Sequence, residues 1–429
     1  MYGELQVIRF SLGLTCILSL LAGAVISSRA AGLKTLATFD GSNGSYSIAP
    51  LVQGADGSLF GTTFEGGVSN LGTVFRVTPR GRLISLYSFC KEASCSDGKQ
   101  PGAQLVQVPD GDLYGTTESG GNGLYGGGTV FRITSAGNLT TLYAFCLKTN
   151  CPDGSSPNSL IRASDGSLYG TTYHGGANGW GTVFRVTTRG KLKTLYSFCG
   201  KPNCTDGGSP EAALLEADDG SFYGTTSGGN SQCAGSGTCG TVFRITGMGR
   251  LTTLHRFCSN GTCEDGADPY AGLTRGTDGN LYGTTDAGGR CGVGTVFKIT
   301  LSGIFKTIYS FCTTQTPQGT LVRGADQNFY GTTSGNTLGT IFKITPSGNL
   351  TTLYNFCSRQ NCRDGYLPLA GLIEGKDGAF YGTTALGGNN NCDPPHGCGT
   401  IFRFSMGGPL LTVGQKEPRT RSDWDQQPF

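Results

Sequence analysis

Cysteine is the most regularly placed reactive residue in this chain. Five pairs share the spacing C-x4-C: Cys90/Cys95, Cys146/Cys151, Cys199/Cys204, Cys258/Cys263 and Cys357/Cys362. Two more, Cys233/Cys239 and Cys392/Cys398, are C-x5-C, which leaves Cys291, Cys312 and the N-terminal Cys16. Thiolates so spaced can hold zinc, but zinc sets draw on further cysteine or histidine, and the chain has only three histidines. Disulfides are the stronger expectation, with no metal and no cofactor. An Asp-Gly follows each C-x4-C, at Asp97, Asp153, Asp206, Asp265 and Asp364. One carboxylate per loop is few for Ca²⁺, so these aspartates are expected to shape turns.

A second set could recognise a ligand. The stretch "LYGTTYHGGANGWGTVFRVT" (Leu168 to Thr187) gathers Tyr173, His174, Asn178 and Trp180 in one glycine-rich bend, and Tyr125 stands in the bend before it. An aromatic platform with amide and imidazole donors suits a sugar or a peptide. The competing role is loop packing. His174 has no sequence neighbour that would complete a catalytic dyad. Asp393 and His396 lie in a further bend, "GGNNNCDPPHGCG".

The elements that must position these residues come from a repeat. The frame YGTT…GTVFRVT occurs seven times, so its glycines read as architecture and not as a phosphate cradle. The Tyr or Phe before GTT falls at 60, 114, 169, 223, 282, 330 and 381, with spacings of 48 to 59 residues. Each unit holds four short runs rich in Val, Ile, Leu, Thr, Tyr and Phe, cut by glycine, and no helical period appears. Four strands per unit of roughly 50 residues, seven times over, predicts an all-β, seven-bladed propeller of four-stranded antiparallel blades. The seventh unit lacks a good outer strand, and "LKTLATFD" (Leu33 to Asp40) matches "LKTLYSFC" (Leu192 to Cys199), so an N-terminal strand is expected to close the ring. "PLLTV" (Pro409 to Val413) is its rival.

Strand direction then sorts the loops. The turn after each inner strand (Asp165-Gly166 in the third unit) and the tight "TPRG"-type turn share one face. The long, variable connections share the other, and all sixteen remaining cysteines fall in or beside them. Cys291 and Cys312 would lie on adjacent antiparallel strands, which predicts an eighth disulfide. The cation after each GTVF or GTIF (Arg76, Arg132, Arg185, Arg244, Lys298, Lys343, Arg403) points to the tight-turn face and is expected to pair with a turn Asp. Three residues before each turn Asp, the inner strands carry Gln53, Gln107, Arg162, Glu216, Arg275, Arg323 and Glu374. This polar ring would line a wet central channel or pair across blades. Its two acids sit three blades apart, too far for the carboxylate pair of glycoside chemistry.

At a formal charge of +3 with 14% charged residues, the chain has no basic field for nucleic acid. "FSLGLTCILSLLAGAVI" (Phe10 to Ile26) followed by small residues reads as a secretory leader. The expected domains are a signal peptide over 1–30, the propeller over 31–408 and a disordered polar tail over 409–429.

The motif "DGxLYGTTxxGG…GTVFRIT…GxLTTLYSF", from Leu33 to Met406, resembles the extracellular GloVer ("choice-of-anchor") tandem repeats. The resemblance implies a secreted propeller-like array without an established chemistry. Many members carry a C-terminal surface anchor. The tail "GQKEPRTRSDWDQQPF" has no apolar segment, so that anchor is not expected here.

The function that follows is a secreted (extracellular or periplasmic), monomeric, disulfide-stapled module that binds a glycan or an extracellular protein through its long-loop face, with no membrane span in the mature chain. An extracellular polysaccharide hydrolase or lyase and a purely structural envelope protein are the alternatives. Catalysis is the weaker expectation.

Overall fold

The computed structural model describes residues 28–29, 32–123, 126–229, 239–335, 338–389 and 392–409. Residues 32–406 form one unit, and residues 1–31 with 407–429 form another. Of the latter, Ser28–Arg29 pairs antiparallel with Gly408–Pro409. No helix among the described residues is long and apolar enough to cross a membrane.

Seven antiparallel sheets make up the larger unit. The third blade shows the pattern: inner strand Ser155–Arg162, then Leu168–His174, Thr182–Val186 and outer strand Leu192–Ser197. The only helical turns among the described residues are three-residue segments within disulfide loops, such as Pro202–Cys204.

The blades hold together by contacts that the repeat copies around the ring. In each YGTT a residue larger than glycine would collide with the core: a Cβ on Gly170 would lie 2.7 Å from the Phe184 ring and 2.9 Å from Leu160. Gly181 of GTVF adopts φ +89°, which excludes most other residues. The second threonine of YGTT bonds the threonine of GTVF, as Thr172 Oγ1 does Thr182 Oγ1 at 2.9 Å. Except for Thr284, the first donates to a carbonyl of the next blade's inner segment, as Thr225 does to Ala271 at 3.0 Å. Core clusters form between blades, with Phe145 of the second packing edge-on against Phe184 of the third at 5.2 Å.

Ring closure follows the same rules. Gly32–Thr38 pairs with Thr400–Ser405 and completes the seventh blade, so the N-terminal strand takes the slot. Of its rival, Pro409 to Val413, Pro409 pairs with Ser28 and residues 410–413 lie outside the described residues. Phe39 then meets Phe75 of the first blade edge-on at 5.1 Å, repeating the Phe145–Phe184 contact. A sheet edge that would otherwise invite association is thereby paired.

Seven disulfides join described cysteines. Five are the C-x4-C pairs Cys90–Cys95, Cys146–Cys151, Cys199–Cys204, Cys258–Cys263 and Cys357–Cys362. The others are Cys392–Cys398 and Cys291–Cys312, the latter with Cα atoms 5.1 Å apart. Cys239 is also disulfide-bonded. Cys233 lies outside the described residues.

The second cysteine of a C-x4-C pair is more than the covalent staple that its spacing predicts. Its carbonyl accepts two backbone amides: Cys95 from Gly98 and Gly121, and Cys151 from Gly154 and Gly176, all at 2.9 Å. Cys263 accepts from Gly266 at 3.0 Å and Gly289 at 2.7 Å, and Cys362 from Gly365 at 2.8 Å and Gly388 at 3.0 Å. The first amide closes the Asp-Gly turn. The second belongs to the long loop of the following blade, so each disulfide loop is also tied to its neighbour. The bridges are the expected ones, and the backbone tie is an addition to them, since a backbone acceptor cannot be read from side-chain spacing.

Candidate functional site at the channel mouth

The tight-turn face is occupied with holding itself together. The repeated cation reaches the turn aspartate of its own blade: Arg185 to Asp165 at 3.1 Å, Arg244 to Asp219 at 2.8 Å, Lys343 to Asp326 and Arg403 to Asp377 at 2.7 Å. Arg76 likewise pairs with Asp56, whereas Arg132 departs from the expected pattern and pairs with Asp112, two residues past its turn aspartate Asp110. Lys298 acts on Asp278 through its charge. Asp165, Asp219, Asp278, Asp326 and Asp377 also accept from tyrosine, as Asp326 does from Tyr330 at 2.8 Å. Burial would raise Asp326, but Lys343, Asn328 and Tyr330 hold it down at about 2.

The polar ring of the inner strands is largely interblade stitching. Glu216 accepts from the Ser164 amide at 2.8 Å, Glu374 from the Ala325 amide at 3.2 Å, and Gln53 from the Lys376 amide at 2.9 Å. Arg275 pairs with Asp218. In all four, the side chain reaches back to the turn of the preceding blade, and Gln53 does so across the closure. Gln107 instead donates to Gly111 of its own turn at 3.3 Å. Arg162 and Arg323 are exposed.

The aspartates after the C-x4-C pairs shape turns. Asp206 accepts from Tyr196 Oη at 2.6 Å and from the amides of Gly200 and Lys201, which ties the disulfide loop to the outer strand. In the fourth blade His255 replaces that tyrosine, 2.9 Å from Asp265 and stacked on Phe305 at 3.8 Å. No group of three or more His, Cys, Asp or Glu among the described residues could hold a metal ion.

What remains lies where the channel opens on the long-loop face. A cavity of about 460 Å³ there is lined by Ile48, Phe64, Glu118, Asn158, Tyr173, Glu211 and Tyr270, together with small residues and no cysteine. Two registers of the repeat supply this lining. The residue after YGTT reads Phe64, Glu118, Tyr173, Ser227, Asp286, Ser334 and Ala385 around the ring. The residue after the inner-segment proline reads Gly102, Asn158, Glu211, Tyr270, Gln318 and Leu369, with Ile48 as the counterpart in the first blade. The wall continues down the channel past Gln318 and Leu369. Of the first register Phe64, Glu118 and Tyr173 line the cavity, and of the second Gly102, Asn158, Glu211 and Tyr270 do. Asn158 also donates to the Pro210 carbonyl of the following blade at 2.6 Å.

The electrostatics of the mouth are unusual for this molecule. Burial pushes Glu211 up to about 7; a bond from Ser227 Oγ at 2.7 Å opposes this, while Asp268, Asp286 and Glu118 push the same way. Burial also raises Glu118, countered by His174. Tyr270 is driven up to about 12 by burial and then by Glu211, Asp268 and Asp286. Carboxylic acids tuned towards neutrality in a cavity mark a candidate functional site.

Of the residues singled out in the sequence, Tyr173 lines this cavity, and His174 stands edge-on to it at 4.4 Å. Asn178 is committed elsewhere, donating to the Phe198 carbonyl at 2.9 Å. Trp180 does not line the cavity. It rests on the next blade, where a Cβ on Gly208 or Gly228 would come within 3.0 and 3.3 Å of its ring, yet it stays 42% exposed. Tyr125 lies outside the described residues. Asp393 and His396 border a separate hollow beside the closure, with Tyr46 and Glu65. No loop motif marks Glu118 and Asp286, which follow directly on a strand, or Glu211 and Tyr270, which follow a proline. Aligning the seven units column by column would have found them.

Among solved structures, virginiamycin B lyase from Staphylococcus aureus matches with a TM-score of 0.57 at 16% identity, over 88% of this chain and 99% of that one. The extracellular domain of a candidate hybrid two-component system from B. thetaiotaomicron matches at 0.55 and 11%, over 87% of this chain and 39% of that one. A candidate 6-phosphogluconolactonase from Bacteroides uniformis matches at 0.50 and 14%, over 81% and 98%. At such identities the likeness establishes the propeller and no chemistry. No curated protein matches the sequence. The family model for the Gloeobacter/Verrucomicrobia repeat matches residues 22–151 and 123–336, which together with the sevenfold motif makes this chain a member of that family.

Proposed function

We propose that the protein is a secreted, monomeric binding propeller that receives a glycan in the mouth of its central channel. The observation that carries this reading is the lining of the cavity: Tyr173, Tyr270 and Phe64 offer ring faces, and Glu118, Glu211 and Asn158 offer hydrogen-bonding groups, in one concave site. Sugars present C–H faces to aromatic rings and hydroxyls to carboxylates and amides, so both halves of the lining find a use. His174 would extend the contact at the rim, and Trp180 would meet a longer ligand further out. The disulfides favour an oxidising compartment, consistent with removal of residues 1–30 and a polar tail after the propeller. The test is a glycan panel read against Tyr270→Ala and Tyr173→Ala. Loss of a glycan signal in both variants, with unchanged melting temperature, supports the reading. A silent panel for the unaltered protein refutes it and leaves a structural envelope role.

One observation favours a second reading. Glu211 near neutrality beside further carboxylates has the character of a general acid, as polysaccharide hydrolysis or elimination would require. New reducing ends or unsaturated products from a bound glycan, abolished in Glu211→Gln, would establish catalysis. Binding without turnover would exclude it for that glycan.

A further inference from the structure

The lining of the mouth narrows the glycan it can take, and this inference rests on the reading of that cavity as a glycan site. We propose that the channel mouth selects amino sugars bearing a free primary ammonium over their neutral N-acylated counterparts.

Two carboxylates from two blades, Glu118 and Glu211, line the opening, and Asp268 and Asp286 of the fifth blade add their negative charge at Glu211. On the tight-turn face six aspartates each have a cation of their own blade in direct contact. Among the described residues, by contrast, no ion pair includes Glu118, Glu211 or Asp286. The same ring register also contains buried polar atoms without a hydrogen-bond partner: Asp286 Oδ1, and Ser334 Oγ on the next blade, whose residue is 1% exposed. Their counterpart in the fourth blade, Ser227, sets its hydroxyl between the Ser209 carbonyl at 2.9 Å and Glu211 at 2.7 Å. Buried acceptors without donors are costly in a protein interior. A primary ammonium brings three donors and a positive charge, the complement of this arc.

The rings fit the same ligand. Tyr173 and Tyr270 flank Glu211, and a cation beside their faces gains from the ring quadrupole. Across the mouth, Ile48 and Phe64 form an apolar wall suited to the C–H face of a pyranose. A neutral N-acetyl group would bring no positive charge to the acids, of which Glu118 alone has His174 beside it, and would set a methyl among them. An acidic sugar would meet like charge.

Calorimetric titration of the intact protein with glucosamine oligomers and N-acetylglucosamine oligomers of equal length tests the proposal. The amino oligomer is expected to bind about tenfold or more tightly. That preference should shrink as salt is added. The double variant Glu118→Gln, Asp286→Asn keeps the shape of the site and should erase the preference, so that the variant binds both oligomers equally; its melting temperature reports folding, and Glu118→Gln alone serves if the double variant unfolds. Equal binding of both oligomers, or a preference untouched by salt and by these substitutions, overturns the charge selectivity and leaves the glycan site standing. Binding of neither, with a silent glycan panel, brings down both.

Discussion

The two faces of this ring are built from the same repeat and used in opposite ways. On the tight-turn face, one arrangement recurs: a cation from the third strand, a turn aspartate, and a side chain reaching back to the preceding blade. On the long-loop face, the residue after YGTT is Phe, Glu, Tyr, Ser, Asp, Ser and Ala in successive blades. The variation is organised. Glu118, Tyr173, Glu211, Tyr270 and Asp286 occupy the second to fifth blades, whereas Leu369, Ala385, Ile48 and Phe64 occupy the seventh and first. Symmetry in a ring marks what every blade needs for packing, and broken symmetry marks what the ring needs once. Substitutions on the repeated frame should therefore cost stability, and substitutions at the mouth should cost binding.

The largest effect is expected from Phe39→Ala. Phe39 is fully buried at the closure and repeats the contact made by Phe145 within the ring. Its loss should lower stability by about 3–5 kcal/mol, as should Phe145→Ala. Urea denaturation that finds Phe39 much cheaper would show that the closing blade is not equivalent to the others.

Glu211→Gln comes next, and its signature is pH dependence. Glu211 titrates near 7 in the fold and in the ordinary carboxylate range when unfolded, so the folded state holds its proton more tightly. The stability this provides is fully present in acid and is lost as pH rises through about 7. The loss is on the order of 2 kcal/mol for this partly buried group. Melting the variant across pH should reveal a flatter profile, and an unchanged slope would place the acid in a wetter site than the geometry indicates.

Trp180→Ala should cost about 1 kcal/mol, since the indole keeps much of its surface in water while covering Gly208 and Gly228. Binding of short ligands should be unaffected and that of long ones weakened. A loss of short-ligand binding would move the site from the mouth to the rim.

The smallest effect belongs to Arg185→Gln. Its pair with Asp165 is solvent-exposed on both sides and is expected to contribute less than about 1 kcal/mol, with binding unchanged. A binding defect there would mean that the repeated face also recognises something, and would break the contrast between the two faces.

Much of this was legible in the residues. The spacing of YGTT gave the blade count, the match of Leu33–Asp40 to Leu192–Cys199 gave the closure, and strand direction gave the Cys291–Cys312 bridge, because each depends on local pattern and chain polarity. The C-x4-C bridges were legible as bonds, but the grip of Cys95, Cys151, Cys263 and Cys362 on the following blade was not, since it is made by the backbone. The platform was only half legible. Tyr173 and His174 do stand at the mouth, but Asn178 is spent on the Phe198 carbonyl and Trp180 on the neighbouring blade. Sequence proximity within a bend does not say which way consecutive side chains point.

By itself, then, the sequence determined the architecture. A period of alternating apolar residues, glycines where Phe184-type rings need room, and threonines at fixed offsets admit one way to bury seven faces, and repetition makes that solution readable from a single copy. Only the tertiary structure decided the site. Glu118, Glu211 and Asp286 lie far apart in the chain, and each looks unremarkable in its own unit. Curvature of the ring brings their blades around one axis, where burial raises Glu118 and Glu211 and the neighbouring carboxylates add to the rise at Glu211.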